Sequence, residues 1–438
     1  MNFDYKNVLI MGYGKSGLAV EEILKKNNVS YKIYDKNHKI NGGGFLSKLS
    51  KKIILDFDLV VISPGISIFD KYVAFAEKSG IKVVGEMEFG YWFTSSPVIA
   101  ITGTNGKTTT TMLTQNIISS TFSSSAFGNI GTPLSTAYQK SYEYLVCEVS
   151  SFQLESTYSF SPYISVILNI AEDHLDRHKT FENYIRCKLG LIKNCTENSL
   201  VVLNGDDELL LNRVENIKAK KYYFSKFKKV KGVYINGDDI VVNVSSKKYT
   251  LLKLKDIEQL SSVIEDVLAS IVVAKLLKID DQKIVEQIKN FCIAPHRMKT
   301  VLEKNGVKYI DDSKSTNIHS TLNALSCVKN NIVLMLGGSD KNLNFDQIFL
   351  KYSNKLSHVI AFGAVRKKIA KSAVSNGFEN VVVCKTFFEA VKAGYNLASK
   401  GDTLLLSPSC ASFDEFDSYA VRGEKFESII KELANAKN

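Results

Sequence analysis

The segment Val98-Ile-Ala-Ile-Thr-Gly-Thr-Asn-Gly-Lys-Thr-Thr-Thr-Thr111 constrains this chain more than any other, because it reads as a buried strand, an anion-gripping loop and a helix in immediate succession. Gly103 and Gly106 let the backbone approach an anion without Cβ interference, so that successive N–H groups, through Thr104 and Asn105, point at phosphate oxygens from a helix N-terminus. Lys107 reaches the terminal phosphates, Thr108 offers a hydroxyl to magnesium, and Thr109 continues into the helix. Ile101 stands where the general pattern has its first glycine, so the loop is a shortened variant. It predicts a protein that handles a nucleoside triphosphate and leaves open whether the phosphate goes to water, a hydroxyl or a carboxylate.

A strand feeding such a loop belongs to a parallel sheet, and 438 residues are too many for one core. Asn7-Val-Leu-Ile-Met-Gly12 is a second apolar strand. It runs into Gly12-x-Gly14-x-x-Gly17, and Tyr31-Lys-Ile-Tyr-Asp35 follows, ending in an acid. Alone, this is a dinucleotide fingerprint, although the same turn can hold any diphosphate. Thr94-Ser-Ser-Pro97 and Pro295-His-Arg297 break the pattern, and strands alternate with helical segments on either side of both. The expected fold class is α/β with three domains in series: a Rossmann-like N-terminal domain over 1–96, a P-loop central ATPase domain over 97–294 and a Rossmann-like C-terminal domain over 295–438. Segment 220–255, punctuated by Asn236-Gly-Asp-Asp239, is expected to form a small hairpin-like subsheet, and Leu260 to Leu277 a closing helical run.

Seven cysteines without C-x-x-C spacing argue against a disulfide framework and a zinc site. No run of residues suits a membrane span, and Met1-Asn-Phe-Asp-Tyr lacks the basic start of a signal peptide, so a cytoplasmic protein without membrane insertion is expected. The net charge of +11 is read as a lysine excess spread over a solvated surface, with no nucleic-acid partner, that helps to draw in anionic substrates.

Two further stretches carry chemistry. Glu148 leaves the end of an apolar strand in Cys147-Glu148-Val-Ser150-Ser-Phe-Gln-Leu-Glu155, where an acid is placed to hold magnesium. In Asn169-Ile-Ala-Glu-Asp173-His174-Leu-Asp176-Arg-His178, His174 is a candidate ligand for a second metal, with Asp173 orienting it, and His178 is expected at the surface.

With Gly128-Asn129-Ile-Gly131, Asp312-Ser-Lys314-Ser-Thr316-Asn317, Leu336-Gly-Gly338 through Lys341, and Ser407-Pro-Ser-Cys-Ala-Ser412, these motifs run in an order that resembles the Mur ligase family, and within it the members that add D-glutamate. The resemblance covers essentially the whole chain. It implies that ATP phosphorylates the alanine carboxylate of UDP-N-acetylmuramoyl-L-alanine and that the amine of D-glutamate attacks the acyl phosphate, in peptidoglycan synthesis. It implies two Mg2+ ions, held by Thr108, Glu148, His174 and a carbamylated Lys188, and a monomeric enzyme. ATP contacts would come from the phosphate loop, Arg297 and Asp312. The UDP substrate would lie against Gly14, Lys15, Ser16, Gly17, Asp35, Lys36 and Asn129, and D-glutamate among Lys314, Thr316, Lys341, Ser412, Phe413 and Tyr419. Where the family has Asn residues that help bind adenine, this chain reads Ser262-Val263-Ile-Glu-Asp266, and an Asp cannot donate as an Asn does. Two alternatives stay open: an NAD-dependent oxidoreductase built on Gly12-x-Gly14-x-x-Gly17, and an inactive nucleotide-binding scaffold.

Overall fold

A computed structural model describes residues 3–37, 44–245, 247–340 and 343–436. Contacts divide them into two compact units, one built of 1–170, 177–258 and 263–291, the other of 171–176, 259–262 and 292–438.

The first unit contains two sheets. The smaller has four parallel strands in the order Ser30–Tyr34, Asn7–Met11, Leu59–Ile62, Lys82–Gly85. The two inner strands, Asn7–Met11 and Leu59–Ile62, read as near-continuous apolar runs because both faces are covered. Val8 and Ile10 pack with Val20 and Leu24 of helix Lys15–Lys26 on one side, and Leu9 and Met11 with Val73 and Ala76 of helix Lys71–Lys78 on the other. Gly12 has φ +88°, and a Cβ on Gly17 would overlap the Gly12 carbonyl oxygen, so the glycine spacing serves close packing of the turn against the helix.

The larger sheet has nine strands in the order Tyr249–Lys253, Asp239–Asn243, Gly232–Asn236, Lys220–Ser225, Leu200–Asn204, Ile164–Ile167, Val98–Thr102, Tyr144–Glu148, Ser124–Gly128. Val98–Thr102 lies inside it, every residue buried, between parallel neighbours. The expected hairpin-like subsheet at 220–255 is present as antiparallel pairings of Gly232–Asn236, Asp239–Asn243 and Tyr249–Lys253 about the Asn236-Gly-Asp-Asp239 turn, and it is continuous with the large sheet because Lys220–Ser225 pairs in parallel with Leu200–Asn204 and Gly232–Asn236. The closing helical run is a 3-10 stretch, Leu254–Val263, followed by helix Ile264–Leu276. The two sheets are tied together by Glu88, whose carboxylate accepts from the backbone N–H groups of Tyr158, Ser159 and Phe160.

The second unit holds a six-stranded sheet in the order Lys299–Lys304, Val307–Asp311, Thr403–Ser409, Ile332–Gly337, Leu356–Phe362, Val381–Val383. All pairings are parallel except the first, a hairpin turned by Asn305 and Gly306 at φ +54° and +73°. Both faces are again apolar, with Leu334 and Leu405 on one side and Met335 and Leu404 on the other.

Candidate functional site

In the first unit the phosphate loop leaves the carboxyl end of Val98–Thr102 and enters helix Lys107–Ser119 at Gly106, whose φ is +87°. A Cβ on Gly103 would press on Leu168, and one on Gly106 would overlap the Asp266 carboxylate, so both positions are closed to larger residues. Asn169 clamps the loop: its carbonyl accepts from Thr104 N at 3.0 Å, its side-chain oxygen from Asn105 N at 2.9 Å, and its amide donates to Asn105 O at 3.2 Å. Thr104 Oγ1 also lies 3.0 Å from the Tyr184 hydroxyl. Neither Asn169 nor Tyr184 stood out in the sequence as a loop support, although Asn169 lies two residues beyond a strand that borders the loop's own.

Two lysines converge on one carbonyl of this loop. Lys107 Nζ donates to Gly103 O and to Thr104 O, each at 2.9 Å, and Lys188 Nζ donates to Gly103 O at 2.8 Å. Lys188 is fully buried on helix Phe181–Leu189, its Nζ 4.7 Å from the centroid of the Tyr184 ring. Glu148 ends the neighbouring strand and is buried. Its Oε1 accepts from Asn129 Nδ2 at 2.7 Å, while its Oε2 has no hydrogen-bond partner. A buried carboxylate oxygen left unsatisfied is costly unless something cationic meets it, and a hard-oxygen donor of this kind fits Mg2+. Asp266 is buried beneath the loop and accepts from Thr110 Oγ1 at 3.0 Å, so the departure from Asn falls on a residue that braces the helix after the loop.

The Glu148 motif is rigid for a local reason. Ser150 and Gln153 form a capping box that starts helix Ser151–Leu154 and leads into Glu155. Glu155 Oε2 accepts from Arg177 Nη2 at 2.7 Å and Nε at 3.1 Å. His178 joins it, with Nδ1 3.2 Å from Glu155 Oε1 and Nε2 2.9 Å from Ser151 Oγ. His178 is 2% exposed, which corrects the expected surface position; the partner that buries it lies 23 residues earlier in the chain. Arg177 also donates to Pro64 O at 3.0 Å and Ile66 O at 3.1 Å, so one guanidinium joins the large sheet's motif to a turn of the small sheet.

That turn borders a cavity of about 690 Å³ whose lining includes Gly14, Lys15, Ser16, Asp35, Lys36, Ser63, Gly65 and Ile66. The structure therefore gathers five of the residues expected to meet the UDP substrate. Asp35 Oδ2 accepts from Tyr13 N at 2.6 Å, and Lys36 pairs with Asp70 at 3.3 Å. Gly17 does not line the cavity, being packed against Gly12. Asn129 is held by Glu148, and Lys15 Nζ reaches Gly131 O, in the same motif, at 3.4 Å.

In the second unit Asp312 is buried, accepting from Ser407 Oγ at 2.7 Å and Met298 N at 3.2 Å. Arg297 follows His296, which has φ +61° and is held by Asp311 Oδ2 at 2.6 Å from its Nδ1; Arg297 Nε is buried without a partner. The loops carrying Lys314 and Ser412 are joined by Arg422, a fully buried residue that sequence reasoning missed. It donates to Ser313 O, Ser313 Oγ and Cys410 O at 2.8, 2.9 and 3.0 Å. Lys314 Nζ lies 5.6 Å from the Tyr419 ring centroid, Ser412 Oγ is buried and unpartnered, and Phe413 is 74% exposed. Thr316 is half-buried on the Lys314 loop, and Lys341 lies outside the described residues. His174 has φ +54° and its N–H donates to Asp173 Oδ1 at 2.9 Å, while Asp173 Oδ2 accepts from Asn317 Nδ2 at 3.1 Å.

Burial pushes the Asp312 carboxyl from 3.8 up to about 6, outweighing its hydrogen bonds and Arg297. The folded state thus prefers the protonated acid, and this contribution to stability is fully present below pH 3.8 and lost as pH rises through about 6. Its size is about 3 kcal/mol. Asp312→Asn is expected to flatten the fall of unfolding free energy over that window, measured by urea titration; equal slopes for variant and wild type would contradict the assignment.

The chain is similar to known proteins over essentially its whole length. Sequence signatures match at residues 6–85 (Mur ligase MurD-like, N-terminal domain), 101–265 (Mur ligase middle domain) and 296–410 (Mur ligase, glutamate ligase domain). A UDP-N-acetylmuramoylalanine--D-glutamate ligase of Pelotomaculum thermopropionicum is 35% identical, covering 99% of both chains, and one of Clostridioides difficile is 35% identical over 99% of this chain and all of that protein. Among solved structures, the fold is similar to a pseudomurein peptide ligase type C of Methanothermus fervidus (TM-score 0.63, 19% identity, 98% of this chain and 100% of that one). It is also similar to the MurF ligase of Thermotoga maritima in complex with ADP (TM-score 0.61, 17% identity, 99% and 96%).

Proposed function

This chain belongs to the Mur ligase family, and we infer from that premise how it acts: it is an ATP-dependent ligase of peptidoglycan synthesis that joins D-glutamate to UDP-N-acetylmuramoyl-L-alanine. The observation that carries this reading is the full-length likeness to D-glutamate ligases, in which all three parts of the chain take part. It replaces the oxidoreductase alternative, because the glycine turn at Gly12 falls within the Mur ligase N-terminal signature.

The chemistry follows from the poor electrophilicity of a carboxylate. The alanine carboxylate takes the γ-phosphoryl group of ATP, and ADP departs. The amine of D-glutamate attacks the acyl carbon, the C–O bond to phosphate breaks, and the amine loses a proton as the amide forms. Backbone N–H groups of Gly103 to Gly106 and the Lys107 ammonium hold the phosphates, and Asn169 keeps the loop in shape for them. Thr108 and Glu148 would hold one Mg2+, and carbamylated Lys188 and His174 are the residues that the family resemblance gives for a second. Such ions would supply neutralising charge for the transferring group. The 690 Å³ cavity takes the UDP portion, with Asp35 and Lys36 at its edge and Asn129 on the sugar side. Arg297 and Asp312 serve ATP, and Lys314, Thr316, Lys341, Ser412, Phe413 and Tyr419 surround D-glutamate, whose two carboxylates suit cations and hydroxyls. Domain boundaries at 96/97 and 294/295, a monomeric state and a cytoplasmic location complete the proposal.

The reading is tested by phosphate release across a panel of amino acids with UDP-N-acetylmuramoyl-L-alanine and ATP. Release is expected with D-glutamate and to be at background with L-alanine or L-lysine; a preference for either of those would overturn the acceptor. A second expectation concerns Arg177, which touches the Pro64–Ile66 turn through carbonyl oxygens and so supports the cavity wall. Arg177→Ala is expected to raise KM for the UDP substrate about tenfold, the scale of charged hydrogen bonds lost, with KM for ATP little changed. Equal increases in both constants would mean that the residue supports the fold in general.

A further inference from the structure

The lysine excess is less evenly spread than composition suggests. Between Lys218 and Lys231 there are seven lysines, and no acid occurs from Asn216 to Gly237. The fold gathers four of them: Lys221, Lys228, Lys229 and Lys231 line one cavity of about 560 Å³, floored by Gly205, Val214 and Tyr223. The facing acids are few. Glu215 lines the same cavity, Glu208 lies 3.8 Å from Lys228, and Glu265 pairs with Lys226 at 3.0 Å. Lys229 and Lys231 are exposed and have no carboxylate partner among the described residues.

At the tip of this basic loop stands Phe227, 78% exposed. The tip is held in place from below. Ser225 Oγ donates to Asp206 Oδ1 at 2.6 Å and accepts from Phe227 N at 3.1 Å and Lys228 N at 2.7 Å, while Asp206 Oδ2 accepts from Lys226 N at 2.7 Å. The loop presents the Phe227 ring to water with lysines on both sides, the Lys226 ammonium 5.3 Å from the ring centroid. That combination matches an anionic bilayer surface, where lysines meet headgroup phosphates and one ring enters the interface. Single-stranded nucleic acid fits less well, since its binding uses several aromatic platforms along a groove.

We propose that the loop Lys226–Lys231 is a docking surface for an anionic lipid membrane, reversible and peripheral, independent of the ligase reaction. No described helix is long and apolar enough to cross a membrane, so contact is confined to the interface.

The test is co-sedimentation of the full chain with phosphatidylcholine vesicles, with and without about 30% phosphatidylglycerol. Binding is expected only with the anionic lipid, and to disappear in about 0.5 M salt. The triple variant Lys228→Glu, Lys229→Glu, Lys231→Glu is expected to lower binding at least about tenfold, and Phe227→Ser by about threefold, with phosphate release at the wild-type rate in both. The rate readout confirms that the variants are folded. Absence of binding at low salt, equal binding to neutral vesicles, or undiminished binding of the triple variant would each overturn the proposal. Displacement of the vesicles by a single-stranded oligonucleotide at equal phosphate concentration would also overturn it, in favour of a nucleic-acid surface.

Discussion

Lys107→Ala is expected to lower kcat by about a thousandfold or more while leaving the chain folded. The loop offers backbone N–H groups to a phosphate whatever residue stands at 107, but the Lys107 side chain adds a cation fixed at the start of the helix through the carbonyls of Gly103 and Thr104. Charge builds on the transferring phosphoryl group during the reaction, so losing the ammonium costs most in the transition state and least in the ground state. The fold should tolerate the change, since position 107 opens a helix and alanine favours helices. Phosphate release with all three substrates measures kcat, and a thermal melt within a few degrees of wild type establishes folding. Turnover within tenfold of wild type would remove Lys107 from the chemistry and would revive the reading of the chain as a scaffold. Lys107→Arg should recover little, because a planar guanidinium cannot take the place of a compact ammonium held by two carbonyls.

The loop was legible in the sequence because its requirements are local. Strand, glycines, lysine and helix are consecutive, and the strand reads apolar throughout because neighbours cover both faces. Leu59–Ile62 and Asn7–Met11 were legible for the same reason. What escaped depends on distant partners. Asn169 clamps Asn105 from 64 residues away, Arg422 reaches Ser313 across 109, and Arg177 reaches Pro64 across 113. No spacing rule links such pairs. His178 was misjudged because its burial depends on Ser151 and Glu155, which return beside it only when the strand between them pairs. The hairpin at Lys304-Asn305-Gly306-Val307 is a different case. Its Asn-Gly turn was an available signal, masked by reading the nearby Pro295-His-Arg297 as a boundary alone.

Lys188→Ala is expected to lower kcat by about a hundredfold or more, and the wild-type enzyme is expected to lose activity when stripped of bicarbonate and to regain it on addition. The resemblance assigns Lys188 a carbamate, and the geometry supplies a physical reason for one. Lys107 and Lys188 both donate to the oxygen of Gly103, at 2.9 and 2.8 Å. Two ammonium groups within about 6 Å of each other repel by roughly 3 kcal/mol at an effective dielectric constant of about 20. Addition of CO2 to the neutral amine of Lys188 releases a proton and leaves an N–H that can still donate to Gly103, while the new carboxylate cancels the repulsion. It also adds an anionic oxygen donor of the kind a hard cation takes. Burial helps by keeping the carbamate from water, and Lys188 is 1% exposed. With 13C-bicarbonate, the wild-type protein should show a carbamate resonance that Lys188→Ala lacks. Full activity without bicarbonate, together with no such resonance, would leave Lys188 as an ammonium that braces the loop, and its alanine variant would then show a lowered melting temperature in proportion to its lost activity.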